Sequence, residues 1–207
     1  MKSKHCVRRI AALVAAALLM AAACGGNDDD AGPEAVEVAP VQTVGQPLGP
    51  VGPTPASDPA IGRPVPGLSG SAIDGTPFSW TPGERPAVFL FLAHWCPACQ
   101  GEVVEYTGWL AAGNELPDGV DLISVVTLVD SSRDNYPPSQ WLADEDWPFP
   151  VLVDSADNEI AAALGQAGTP FWVLVFSDGT LASRGSGRIP PEILTRHFNL
   201  LLAEAEG

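Results

Sequence analysis

Ala87-Val88-Phe89-Leu90-Phe91-Leu92 are six consecutive apolar residues with no polar side to turn toward water. A strand of that kind has to be covered on both faces, so the chain must fold as layers around it. Four residues later come Cys96-Pro97-Ala98-Cys99, after which Cys99, Val103, Tyr106 and Leu110 recur at the spacing of one helix face. A buried strand running directly into a helix predicts an α/β domain, with the helix starting near Cys96 and ending before Gly113.

The rest of the chain continues the alternation. Asp74-Gly75 marks a hairpin between Ala72-Ile73 and Pro77-Phe78-Ser79-Trp80. Val120 to Val129 reads as a second long apolar strand, Pro137 to Leu142 opens a short helix, and Pro150 to Val153 is a strand. Asn158 to Leu164 is a helix stopped by Gly165. Phe171 to Phe176 and Leu181 to Ser183 flank Asp178-Gly179 as a second hairpin, and Pro191 to Ala205 closes the chain as an amphipathic helix. This order predicts a mixed central sheet flanked by helices, with an added N-terminal β-hairpin.

All seven Phe, both Tyr and all six Trp lie between Phe78 and Phe198, so the core is expected in the last two thirds of the chain. The formal net charge is -15, and no basic run occurs beyond the first nine residues. No surface is left to release counterions from a nucleic-acid backbone, which excludes nucleic acid as a partner.

The N-terminus reads as an address. Lys2, Lys4, Arg8 and Arg9 precede the uncharged run Ile10 to Ala23, which is shorter than the roughly 20 residues of a relaxed membrane span. The run closes Met20-Ala21-Ala22-Ala23-Cys24-Gly25-Gly26, small residues directly before a cysteine, and resembles the lipobox of bacterial lipoproteins. That resemblance implies cleavage of residues 1–23, a diacylglycerol on Cys24 and an extracytoplasmic protein held at a membrane. A plain secreted protein cleaved nearby, with Cys24 an incidental thiol, is the alternative. Cleavage would remove both lysines and leave 6 Arg against 25 acids, a net charge of -19. Chemistry that needs a lysine nucleophile or a phosphate-cradling lysine is then excluded. Residues 24–66 contain nine prolines and no aromatic, which predicts a disordered tether between the lipid and a domain at 67–207.

Two cysteines three apart at a helix start divide the work of disulfide exchange. Cys96 sits where unpaired N–H groups and the helix dipole stabilise a thiolate, so its pKa is expected below the free value of about 8.5. Cys99, one turn further in, is shielded and reaches only a neighbouring sulfur. Cys96 is therefore the expected nucleophile and Cys99 the resolving thiol. Pro97 fits the first helical turn, where its missing N–H costs no bond.

Ala93-His94-Trp95 leading into Cys96-Pro97-Ala98-Cys99 resembles the thioredoxin superfamily, and Glu102, three residues after the second cysteine, is similar to the functional glutamate of its exported TlpA/ResA-like branch. Further similarity covers about 140 residues: the N-terminal hairpin, Val153-Asp154, Leu164-Gly165, and Gly168-Thr169-Pro170 before the Phe171 strand. The resemblance implies a thioredoxin-like fold and a cis peptide bond at Pro170 beside the cysteines. Substrate would then contact Trp95, Thr169 and Pro170, while Glu102 transfers the resolving proton. It implies redox tuning by Pro97, Ala98 and His94, no cofactor beyond a redox-active Cys96–Cys99 disulfide, and no metal. Cytoplasmic thioredoxins carry a buried Asp six residues before the first cysteine, where this chain has Leu90.

The resemblance also implies partners. They are thiols and disulfides of exported proteins such as apocytochrome c, which the enzyme would reduce, and a membrane electron carrier that re-reduces it. Other readings stay open at this point. The cysteines could form an inert disulfide or half a metal site, for which His94 and His197 are the remaining mature histidines. The enzyme could run in the oxidising direction, or the domain could carry copper or haem.

Overall fold

A computed structural model describes residues 35–54 and 57–205. The expected signal segment, the lipid attachment at Cys24 and the first ten residues of the tether lie outside them. A five-stranded mixed sheet has the order β6-β5-β4-β7-β8, built from β4 (Ala87–Leu92), β5 (Asp121–Val126), β6 (Val151–Val153), β7 (Phe171–Val175) and β8 (Leu181–Ser186). β4, β5 and β6 run parallel, whereas β7 is antiparallel to both β4 and β8. The apolar run at 87–92 is the central strand, and none of its six residues exposes any surface.

Alternation along β4 divides the core. Val88, Leu90 and Leu92 face Val103 and Tyr106 of α1 (Pro97–Ala111) and Leu194, Phe198 and Leu201 of α4 (Pro191–Ala205). Ala87, Phe89 and Phe91 face Ile160, Ala161 and Leu164 of α3 (Glu159–Leu164). A short helix α2 (Pro138–Asp144) follows the cis peptide bond Tyr136–Pro137 and adds Trp141 and Leu142 to the first face.

The α3 face explains why the tether expectation fails for residues 35–54 and 57–66. One helix of six residues cannot cover a five-stranded sheet, and the segment before Gly67 supplies the missing cover. Gln42–Val44 forms β1, which pairs with β2 (Gly67–Ser71), itself paired with β3 (Pro77–Trp80) in a separate antiparallel sheet. The expected hairpin at Asp74-Gly75 is thus the β2–β3 turn, with a third strand drawn from the supposed tether. Leu48, Ala60 and Val65 join the second core cluster with at most 1% exposure. Asp58 pairs with Arg184 of β8, both side chains fully buried, and Arg184 also donates to the carbonyls of Leu164 and Pro50. Prolines here shape a strap whose backbone polar groups find partners, and proline content alone does not set disorder.

β5 ends three residues before the predicted strand end. Leu128 takes a left-handed φ of 54°, and its N–H donates to Asn158 Oδ1, so the chain leaves the sheet toward the end of β4. Among the described residues, no helix is long and apolar enough to cross a membrane.

Candidate active site

Beyond Leu92 the chain turns sharply, with Cys96 N–H donating to the Ala93 carbonyl at 3.0 Å. Cys96 keeps an extended backbone, φ -80° and ψ 116°, and Pro97 begins α1, so the first sulfur sits at the helix N-terminus. Cys96 is 8% exposed and Cys99 is 0% exposed, both as free thiols. The Thr169–Pro170 peptide bond is cis, and the Thr169 carbonyl accepts from the Cys96 thiol at 3.4 Å. Pro170 is buried, and Pro97 and Ala98 are exposed beside the sulfur.

The environments of the two thiols oppose each other. Burial works against ionisation of Cys96, but contacts with Thr169 and the N–H groups of Cys99 and Ala98 outweigh it and bring the thiol below its ordinary value. Burial pushes Cys99 up to about 12, and the neighbouring Cys96 sulfur adds to the rise. One thiol ionises more readily than an ordinary cysteine and keeps a little exposure, while the other stays protonated until a base removes its proton.

Trp95 and His94 are tied to the loop after β5, which sequence reasoning did not assign to the site. The Trp95 indole N–H donates to the Leu128 carbonyl at 2.8 Å, and the Arg133 guanidinium lies 4.2 Å from the centre of its ring. His94 is buried. Its Nε2 accepts from Asp130 N–H at 3.2 Å, so Nδ1 carries the proton and donates to the Asp134 carbonyl at 2.7 Å. Both nitrogens are spent on this loop, so neither is free to tune Cys96 by direct contact. His94 acts through position: its carbonyl also accepts from Gln100 Nε2 and Asn135 Nδ2.

Glu102 lies one turn beyond Cys99 on the buried face of α1 and exposes no surface. Its Oε1 accepts from Ile189 N–H at 2.9 Å and its Oε2 from Arg188 Nε at 3.2 Å. Burial raises the carboxyl to about 7, against the opposing pull of the Ile189 N–H and the Arg188 charge. Two other carboxylates are buried among the described residues. Asp58 is held below the usual carboxylate range by Arg184. Asp154 is spent on the N–H groups of Ser155, Ile160 and Ala161 and the Thr127 hydroxyl. Glu102 alone of the three lies on the cysteine helix, with a proton affinity suited to neutral pH. Arg188 was not found from sequence; its flanking Gly187 and its rarity as one of six arginines after residue 23 were the available signals.

No group of three or more His, Cys, Asp or Glu among the described residues is arranged to hold a metal ion. Since both His94 nitrogens are engaged, a copper or haem site that borrows this histidine finds no support in the geometry. A cavity of about 420 Å³ lined by Trp80, Asp121 and Phe198 opens at the start of β5, the end of the sheet away from the cysteines. What the cysteine site offers is a slightly exposed sulfur beside the half-buried Gly168-Thr169 backbone, with Pro97 and Ala98 exposed next to it.

A profile of the Redoxin family matches residues 60–197. No curated protein matches the chain. Among solved structures, dsbF of MTB in its mixed oxidized and reduced forms is 27% identical, covering 64% of this chain and 93% of that one, with a TM-score of 0.51. A secreted Mycobacterium tuberculosis disulfide oxidoreductase, described as homologous to E. coli DsbE, is 22% identical over 64% of this chain and 94% of that one, at a TM-score of 0.51. StoA from Bacillus subtilis is 20% identical over 67% of this chain and 98% of that one, at 0.52. The last two show likeness of fold.

Proposed function

The chain belongs to the Redoxin family and is a thiol–disulfide oxidoreductase of thioredoxin-like fold, and from that premise we propose that it reduces disulfides of exported proteins, apocytochrome c among them, while lipid on Cys24 holds it at the outer side of a membrane. The observation that carries the reading is the inequality of the two thiols, one lowered and partly open, the other buried and raised to about 12.

In the first step the Cys96 thiolate attacks one sulfur of the substrate disulfide. The substrate S–S bond breaks, a Cys96–substrate disulfide forms, and the electron pair leaves on the other substrate sulfur. The substrate backbone approaches at Thr169, whose carbonyl then exchanges the Cys96 thiol for a substrate N–H, while Trp95, Pro97, Ala98 and Pro170 border the docking edge. In the second step Glu102 accepts the Cys99 proton, and the Cys99 sulfur attacks Cys96. The Cys96–Cys99 disulfide forms and the second substrate thiolate leaves. The substrate gains two electrons and, with protons from Glu102 and solvent, two thiols; the enzyme becomes a disulfide. A dithiol carrier in the membrane re-reduces it.

The balance of forces on Cys96 bears on direction. Stabilising its thiolate stabilises the reduced enzyme and favours oxidation of substrates, but burial of the sulfur opposes that stabilisation. The net lowering of Cys96 by itself favours the oxidising direction; the reducing direction is proposed on Glu102 and on the resemblance to the exported TlpA/ResA-like branch. Equilibration of the Cys96–Cys99 pair with glutathione or dithiothreitol buffers tests it: a potential at or below about -200 mV is expected. A value well above that supports the oxidising direction instead.

A further inference from the structure

The connection between β8 and α4 ties the substrate edge to the proton acceptor. Gly187 N–H donates to the Pro170 carbonyl at 2.9 Å, Ile189 N–H to Glu102 at 2.9 Å, and the Tyr106 hydroxyl to the Ile189 carbonyl at 2.8 Å. Arg188, between them, lies across α1. Its Nε donates to Glu102 at 3.2 Å, and its Nη2 donates to the Gly101 carbonyl at 2.9 Å and to the Glu105 carboxylate. A Cβ at position 101 would come within 3.0 Å of Arg188 Nη1, so glycine there leaves the guanidinium its seat. The Arg188 side chain is 43% exposed and Glu102 is 0% exposed.

We propose that Arg188 is a positioning residue for the exchange reaction: seated over Gly101, it is the solvent-side counter-charge that keeps Glu102 ionised and aimed to take the Cys99 proton. The inference rests on the reading of Glu102 as that acceptor. A buried carboxylate with no counter-charge takes up a proton at neutral pH and cannot accept another. A fully enclosed ion pair, conversely, would hold its charge too firmly to carry a proton. Arg188 is tied at three points yet half open to water, which suits a carboxylate that must cycle. Of the other charged or titratable groups around Glu102, one acts against Arg188. Glu105 on its own helix raises its proton affinity. Cys99 and Tyr106 share the helix, with Tyr106 raised by burial first and then by Glu102, Glu105 and Glu192 of α4. Arg188 is the only cation in direct contact with Glu102 among the described residues.

The test mixes reduced full-length protein with dithionitrobenzoate and follows the second phase of thionitrobenzoate release, which is Cys99 attack on the Cys96 mixed disulfide, across pH 5 to 9. The infrared carboxyl band of Glu102, identified by difference against Glu102→Gln, is titrated in parallel. Arg188→Gln is expected to move both midpoints up by at least about one pH unit, cutting the ionised fraction at pH 7 about fivefold, with the high-pH rate retained. Arg188→Lys is expected to restore most of the shift, and it stands in if the glutamine variant does not fold. A rate lowered equally at every pH, with the infrared midpoint unmoved, overturns the inference in favour of simple packing. Should the infrared midpoint move while Glu102→Gln leaves the second phase unchanged, the acceptor reading of Glu102 has failed and Arg188 loses its role in exchange with it.

Discussion

Two residues separate Cys96 from Cys99, and what distinguishes the cysteines is the company each keeps. Cys96 meets N–H groups at a helix start, whereas Cys99 is enclosed by the apolar face of α1 and β4. That division was legible in the sequence because the position of a cysteine relative to a helix start fixes its access to unpaired N–H groups. His94 was not legible. Its role depends on carbonyls and N–H groups 36 to 41 residues away, and no local spacing encodes those. Glu102 carries a stability signature. Its folded-state value is raised from 4.5 to about 7, so its contribution is fully present below the unfolded value and is lost as pH rises through about 7. Glu102→Gln, which cannot ionise, is therefore expected to be more stable than the natural protein at pH 8, by about 1 to 3 kcal/mol, and near-equal at pH 4. Urea unfolding of the reduced protein at the two pH values reads the difference; equal effects at both would show that the carboxylate is not penalised by burial.

At the scale of elements, the strand and helix order from β2 to α4 followed from periodicity and turn residues, down to the left-handed Gly165 that ends α3. The strap before β2 did not, because its few apolar residues are spaced by prolines and form no period; what orders them is a sheet face that α3 leaves bare. Truncation of residues 35–65 is accordingly expected to destabilise the domain severely, exposing the second core cluster, and denaturant unfolding against the longer chain checks it. An unchanged midpoint would restore the tether reading. Within the strap, Arg184→Met leaves Asp58 buried and unpaired and should cost about 3 to 5 kcal/mol. Removing both charges, as Asp58→Leu with Arg184→Met, should recover most of that loss.

For the molecule as a whole, the proposed setting is a catalyst confined near a membrane by lipid on Cys24, a chain carrying about 0.8 kcal/mol for each buried methylene. Cys24→Ala is expected to move the protein from the membrane to the soluble fraction on cell fractionation while leaving thiol exchange by the purified domain unaltered. Retention in the membrane fraction would remove the lipid anchor from the account.

The central claim is that Cys96 attacks and Cys99 resolves. Quantitative mass spectrometry of mixed disulfides formed with a disulfide-bonded model protein, in Cys99→Ser and Cys96→Ser side by side, tests it most directly. The account predicts a stable adduct through Cys96 in the first variant and almost none in the second. Equal trapping by both variants, or an adduct through Cys99, would contradict it.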